Sequence, residues 1–394
     1  MKKQTQAIHL EYERRDAYDS LSVPVYNTLA YEFDNAAVMA EAFTDKIKAP
    51  DYSRVENPTV TNLERRVAAL TDAAHATAFN SGMAAISNTL MALAAQGKNI
   101  VTSKHLFGNT YALLVATLRR FGVKVRLRDL TNIETVREAI DDDTCCVFLE
   151  ILTNPQLEVA DLKAISEVAH EKNVPLVVDS TVIPFTQFSA KSLGVDIEVV
   201  SSSKYVSGGA TSLGGLVIDY GTPYNGDFAK RLYGEMLFNF GAYMTPQVAY
   251  MQTIGLETLD ARYRVQSSNA LDLAKKLRSL PQIKLVNYVG LEDNPYHELA
   301  QRQFGKTAGA MICIDLESKE ACFSFLNNLK LIHRATNLFD NRSLAIHPAS
   351  TIFGAFSENM RKSMDVKDTT IRLSIGLEDV DDLFEDIKQA IDSL

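Results

Sequence analysis

From about residue 60 to residue 240, short apolar runs alternate with stretches of helical period, and few folds accept that rhythm. The runs cover residues 76–79, 99–103, 124–130, 145–152, 175–179, 197–201 and 213–219. Helical stretches such as 84–95, 110–120, 133–140 and 162–171 lie between them. A strand followed by a helix and another strand is the unit of a parallel sheet. The expected fold class is therefore α/β, a mainly parallel sheet with helices on both faces.

The flanks read differently. Residues 1–55 mix short polar and aromatic stretches with Pro24 and Pro50 and sustain no single period, which suits an extended arm reaching over a partner subunit. Residues 246–280 read as one long helix interrupted near Gly255. A smaller α/β region follows, with strands near 310–316 and 369–374 and a closing helix over 380–393. The expected division is an arm at 1–58, a large domain at 59–245 and a small C-terminal domain at 246–394.

Composition excludes several function classes. A chain of 394 residues, 46% hydrophobic, can bury a large core. The net charge of -9, without a long basic run, argues against a nucleic-acid partner. Residues 1–16 alternate charged and polar side chains, and no run of about 18 apolar residues occurs, so the expectation is a cytoplasmic protein with no membrane contact. Cys145, Cys146, Cys313 and Cys322 lie in apolar segments without CxxC spacing and read as small core residues. The seven histidines show no ligand spacing, so no metal site is expected.

The chemistry concentrates where apolar runs end. Lys204 follows one run within Ser201-Ser202-Ser203-Lys204-Tyr205, and Asp179 closes another, 25 residues upstream. A lysine that forms an imine with an aldehyde and a carboxylate that keeps a pyridine nitrogen protonated together suggest a pyridoxal phosphate (PLP) site. Taken alone, Lys204 is more simply a surface lysine. Ser81-Gly82-Met83 sits between a short strand and a helix, where free N–H groups and the helix dipole favour a phosphate, although a plain helix cap explains it as well. Asn154-Pro155 also falls at a strand's end, where open α/β sheets gather ligands; by itself it is as well read as a turn.

Together these residues resemble the Cys/Met-metabolism PLP enzymes of the trans-sulfuration group. The likeness spans nearly the whole chain: Tyr52-Ser53-Arg54 with Asn57-Pro58-Thr59, Ser81-Gly82-Met83, Leu106-Phe107-Gly108-Asn109-Thr110, Asn154-Pro155, Asp179-Ser180-Thr181, Ser201 to Tyr205, Gly255-Leu256-Glu257-Thr258-Leu259, and Arg372-Leu373-Ser374-Ile375-Gly376-Leu377-Glu378. Asn337-Leu338 and Ser343 to Thr351 look most like O-acetylhomoserine sulfhydrylases. The resemblance implies the aspartate aminotransferase-like PLP-dependent transferase fold, fold type I. It implies Lys204 as cofactor anchor and base, Asp179 against the pyridinium nitrogen, Asn154 at the ring oxygen, and Gly82 and Met83 giving N–H groups to the phosphate. Ser81, Thr181, Ser201 and Ser203 join the cofactor set, and Phe107 would stack on the ring. Tyr52 and Arg54 would reach the phosphate of a neighbouring subunit in a homotetramer built as a dimer of dimers. Arg372, with Asn154 and Asn337 nearby, would hold the substrate carboxylate.

Two departures stand out. Ser203 replaces a frequent threonine and keeps its hydroxyl. Phe107 stands where the family usually has a tyrosine, and a phenyl ring can stack but cannot give a proton. His105 and Tyr111 are the nearby candidates to replace that acid, each more simply read as a core or surface residue. The implied reaction is γ-replacement on O-acetyl-L-homoserine: acetate leaves the γ carbon and a sulfur nucleophile takes its place, giving homocysteine. Sulfide, a small thiol or a sulfur-carrier protein could deliver the sulfur. A methionine or cystathionine γ-lyase, or a cystathionine γ-synthase, would need the same cofactor residues. A catalytically silent structural subunit is the reading that intact Lys204, Asp179 and Arg372 oppose.

Overall fold

Seven strands, β1 (His75–Phe79), β2 (Asn99–Ser103), β3 (Lys124–Arg128), β4 (Thr144–Glu150), β5 (Leu176–Asp179), β6 (Ile197–Val200) and β7 (Gly215–Asp219), form the larger of two sheets. Their order is β1-β7-β6-β5-β4-β2-β3. The structure, a computed structural model, describes residues 1–10, 16–44 and 46–394. Every neighbour pairing from β3 to β6 is parallel, while β7 runs antiparallel to both β1 and β6. Alternate side chains feed opposite faces, as the pleat requires. Val147 and Leu149 join one core cluster with Val178 and Ile218, and Cys146 and Phe148 join another with Val177 and Val217. Of the four cysteines, Cys145 alone is only half-buried, and all four are free thiols.

Helices cover both faces. Helix α1 (Gly82–Leu93) is capped by Ser81, whose hydroxyl accepts the Ala84 N–H, a bond worth about 1 kcal/mol. Helix α2 (Leu162–His170) is capped in the same way by Asp161. The stretch expected as one helix over 110–120 changes pitch: it opens as α-helix over Gly108–Ala112, widens to a π-turn over Leu113–Thr117 and tightens to a 3₁₀ turn over Leu118–Phe121.

The long helix is divided into α3 (Pro246–Glu257) and α4 (Leu259–Leu277), so the interruption falls at Thr258, three residues past Gly255. Gly255 lies inside α3 because a neighbour demands it. A Cβ there would stand 2.0 Å from the carbonyl oxygen of Val206, in the turn that follows Lys204. A smaller sheet, with β8 (Leu285–Asn287), β9 (Met311–Asp315), β10 (His333–Arg334), β11 (Leu344–Ile346) and β12 (Thr370–Ser374), has the order β10-β11-β12-β9-β8 and is antiparallel except for β10 against β11. Helix α5 (Val380–Asp392) closes it. The apolar core runs without a break from the large sheet into this region, through residues such as Leu259, Tyr263 and Ile312.

The N-terminal residues depart from an extended arm. Lys3–His9 is a short helix whose Lys3 Nζ donates to the carbonyls of Phe185 and Phe188 of the same chain, and Arg66 donates to the Ala7 carbonyl at 2.6 Å. Residues 11–15 and 45 of the expected arm lie outside the described residues. Among the described residues no helix is long and apolar enough to cross a membrane.

Candidate active site

The C-terminal ends of the parallel strands converge on one cavity of about 920 Å³. Ser81, Gly82 and Met83 enter from the turn after β1, Phe107 from the loop after β2, and Glu150 and Asn154 from the end of β4. Asp179 and Thr181 follow β5, and Ser201, Ser203 and Lys204 follow β6. Asn337 and Arg372 close the far side from the smaller sheet. Strand ends of an open sheet lack a following strand partner, so polar side chains there face space and not core.

Hydrogen bonds fix the polar members. Lys204 Nζ donates to Asn337 Oδ1 at 2.8 Å. Thr181 donates its N–H to Asp179 Oδ1 at 2.9 Å and accepts the Ser201 N–H on its hydroxyl at 2.8 Å, joining the ends of β5 and β6. Arg372 donates to Asn154 Oδ1 at 3.1 Å and, at 3.4 Å, to the carbonyls of Thr336 and Asn337. Its Nε is buried without a partner among the described residues, a donor still free for an anionic ligand. Ser203 lines the cavity, yet its hydroxyl is committed to the backbone of Gly214 in both directions.

Burial sets the electrostatics. It lowers the Lys204 amine to about 8, helped by the Arg372 charge and opposed by Asp179, so the amine loses its proton far more readily than an exposed lysine. Burial also raises Asp179, while the Thr181 hydrogen bonds and Lys204 pull it back. Glu150, which sequence reasoning missed, is pushed up to about 8 by burial and then by the Asp179 charge. Its oxygens accept the Phe107 N–H at 2.5 Å and the Asn154 N–H at 3.3 Å. The signal was present: Glu150 is the charged residue near the end of an apolar run, just before Asn154-Pro155, as Asp179 is at the end of another.

Some expected residues lie elsewhere. Tyr52 is exposed and Arg54 donates to the Phe238 carbonyl, its guanidinium 5.5 Å over the Tyr52 ring, and neither lines the cavity of its own chain. His105 and Tyr111 do not line it either. His105 is held by Glu158 and Asp365, and Tyr111 meets the edge of Phe356. The cavity wall thus contains no tyrosine, histidine or cysteine among the described residues.

The site fits pyridoxal phosphate on its own chemistry. A buried amine near neutrality, a carboxylate at the end of β5 and a helix N-terminus share one cavity. The first N–H groups of α1 have no intrahelical acceptor, and Gly82 presses so closely on Ser201 that a Cβ would fall 2.6 Å from the serine Cβ, leaving backbone where a phosphate needs it. Residues 4–392 match the family of Cys/Met metabolism PLP-dependent enzymes, and the chain belongs to that family. Its fold is accordingly that of fold type I PLP enzymes, and it is PLP-dependent. The chain is 37% identical to an L-methionine gamma-lyase of Fusobacterium nucleatum subsp. polymorphum, over 99% of this chain and 98% of that one. It is 31% identical to the O-acetyl-L-homoserine sulfhydrylase of Corynebacterium glutamicum, over 98% and 95%. A crystal structure of a Campylobacter jejuni protein described as an O-acetylhomoserine (thiol)-lyase, holding an N'-pyridoxyl-lysine-5'-monophosphate, superposes with a TM-score of 0.95 at 35% identity and full coverage of both chains. Enzymes of γ-elimination and of γ-replacement therefore both stand among its relatives.

Proposed function

We propose that this protein catalyses γ-replacement on O-acetyl-L-homoserine with a sulfur nucleophile, giving homocysteine for methionine biosynthesis. The observation that carries the proposal is Phe107: among the described residues this chain's own cavity wall has no tyrosine, histidine or cysteine. Lys204 serves as the base, and Glu150 is engaged by the Phe107 and Asn154 N–H groups, so no phenol or imidazole of this chain is placed to protonate a poor leaving group. Acetate departs as a stable anion and needs no acid, whereas a thiolate gains from protonation.

Bound pyridoxal phosphate supplies an electron sink that makes protons next to the substrate nitrogen removable. Lys204 would anchor it, and its Nζ, as a free amine, would take protons from the substrate carbons and return them. Asn337 orients that amine. Asp179 would hold the pyridine nitrogen in its charged form, and Phe107 would stack on the ring. Gly82, Met83, Ser81 and Ser201 receive the phosphate, with Thr181 bracing Asp179 and Ser201. Arg372, aided by Asn154, binds the substrate carboxylate in a bidentate grip that the guanidinium geometry favours. Tyr52 and Arg54 lie outside their own cavity, which supports their use in the site of a neighbouring subunit of a cytoplasmic homotetramer.

Elimination from methionine or cystathionine is the rival, and the relatives named methionine gamma-lyase support it. The purified protein should be incubated with O-acetylhomoserine, O-succinylhomoserine, methionine and cystathionine, each with and without sulfide. Sulfide-dependent homocysteine from O-acetylhomoserine is the expected product. Dominant 2-oxobutanoate and ammonia would establish a lyase instead.

A further inference from the structure

His105 stands two residues before Phe107 and is buried, yet it belongs to neither the core nor the cavity. Its Nδ1 meets Glu158 Oε2 at 2.5 Å and its Nε2 meets Asp365 Oδ2 at 2.8 Å. Glu158 lies on the turn that follows Asn154-Pro155. Asp365 belongs to a segment in which Met364 and Val366 pack with Ala349 and Phe353, and Ile352 of the cavity wall packs against that cluster. Two further ties close the same junction: Lys104 Nζ to Asp365 at 2.6 Å and Gln156 Nε2 to the Met364 carbonyl at 2.7 Å.

We propose that His105 is a positioning residue for Phe107, pinning the loop after β2 at once to the Asn154 turn and to the Asp365 segment, whose cluster packs against Ile352. Two acceptors on one imidazole can both be satisfied only when both ring nitrogens carry protons. The imidazolium is therefore the form that holds all three segments together. Burial alone would lower its pKa, but the hydrogen bonds to Glu158 and Asp365 outweigh burial and raise it. Lys104 opposes them in part, and Tyr296 near Glu158 stays neutral because its phenol is pushed to about 12. Because the folded value lies above the unfolded one, the stabilisation is full below the ordinary histidine range and is lost as pH rises through the folded value. A neutral ring can donate to only one carboxylate, and the junction loosens on the side it abandons.

The proposal rests on Phe107 facing the cofactor, and the test separates the two. Release of pyridoxal phosphate by the holoenzyme and its melting temperature are followed from pH 6.5 to 9 in the wild type, His105→Gln and Asp365→Asn. Asp365 is half-exposed, so its variant keeps the test open where His105→Gln fails to fold. Near pH 6.5 each variant should lose cofactor about fivefold more readily than the wild type, the size of one partly screened charged hydrogen bond, with the gap shrinking to less than about twofold near pH 9. Lys204 and Glu150 are the same residues in all three proteins, so the pH dependence they bring is shared and the difference between proteins isolates the His105–Asp365 contact. A gap that is constant with pH, or absent at pH 6.5, overturns the proposal. So does a pH-dependent gap in melting temperature with none in cofactor release, for then His105 serves stability alone. Phe107→Ala that retains cofactor as the wild type does overturns the reading of Phe107 itself.

Discussion

Lys204 Nζ rests 2.8 Å from Asn337 Oδ1, so the amine at the end of the large sheet is held by an amide from beside the smaller sheet. That amide oxygen accepts a hydrogen bond from Lys204 and has no hydrogen to donate back, which aims the nitrogen lone pair away from Asn337 once the amine is neutral. Asn337→Ala should retain pyridoxal phosphate yet lower kcat by about tenfold or more, the scale of one hydrogen bond to a charged group. An unchanged kcat would remove Asn337 from the machinery.

Lys204→Ala should fold and fail to retain the cofactor covalently. Borohydride reduction followed by peptide mapping tests the assignment, and label on any other lysine defeats it. Asp179→Asn should bind some cofactor and turn over at least about a hundredfold more slowly, because a neutral amide cannot hold a pyridinium proton. Near-normal turnover would cancel that role.

Phe107→Tyr should raise elimination from methionine relative to replacement by about tenfold, the low end of general-acid assistance. The relevant measurement is the ratio of 2-oxobutanoate to homocysteine under matched conditions. A wild type that cleaves methionine as fast as it converts O-acetylhomoserine would contradict the proposed function.

Arg54→Ala and Lys204→Ala chains, each inactive, should recover activity when their subunits are reassorted, since a mixed dimer contains one site with both residues intact. No recovery despite demonstrated exchange would count against a shared site. An active monomer would end the idea.

Glu150 carries a pH signature. Its folded value of about 8 lies above the ordinary 4.5, so its contribution to stability is full below 4.5 and is lost as pH climbs to 8. Glu150→Gln still accepts the Phe107 N–H and has no proton to lose. Melting temperature should therefore fall less steeply between pH 5 and 8 in the variant than in the wild type; parallel slopes would show that Glu150 is ionised throughout.

The rhythm of apolar runs was enough to place the strands of the large sheet and the helices between them, because burial on both faces leaves a strong local signal. Direction leaves none, which is why β7 could not be known to run backwards. The helix break falls within three residues of its expected place, but the reason for Gly255 was hidden: it lies inside α3 to admit Val206, a contact made 49 residues away in sequence. His105, more simply read as a core or surface residue, is indeed buried outside the cavity, but its partners lie 53 and 260 residues distant and left no local signal. Lys204, Asp179, Gly82, Asn154, Asn337 and Arg372 were singled out because family motifs surround them, and all six line one cavity. Glu150 sits among apolar neighbours and drew no notice.

The two glycines beneath the phosphate end of the cavity have a bearing on redesign. Gly82 is locked against Ser201, and a Cβ at Gly215 would strike the Ser81 carbonyl oxygen at 2.1 Å. These contacts involve backbone or its first side-chain atom, so no rotamer change relieves them. Libraries that seek new substrates should hold Ser81, Gly82, Ser201 and Gly215 invariant. Diversity belongs instead at Leu213, which lines the wall yet is exposed, so a change of shape there leaves the cradle undisturbed.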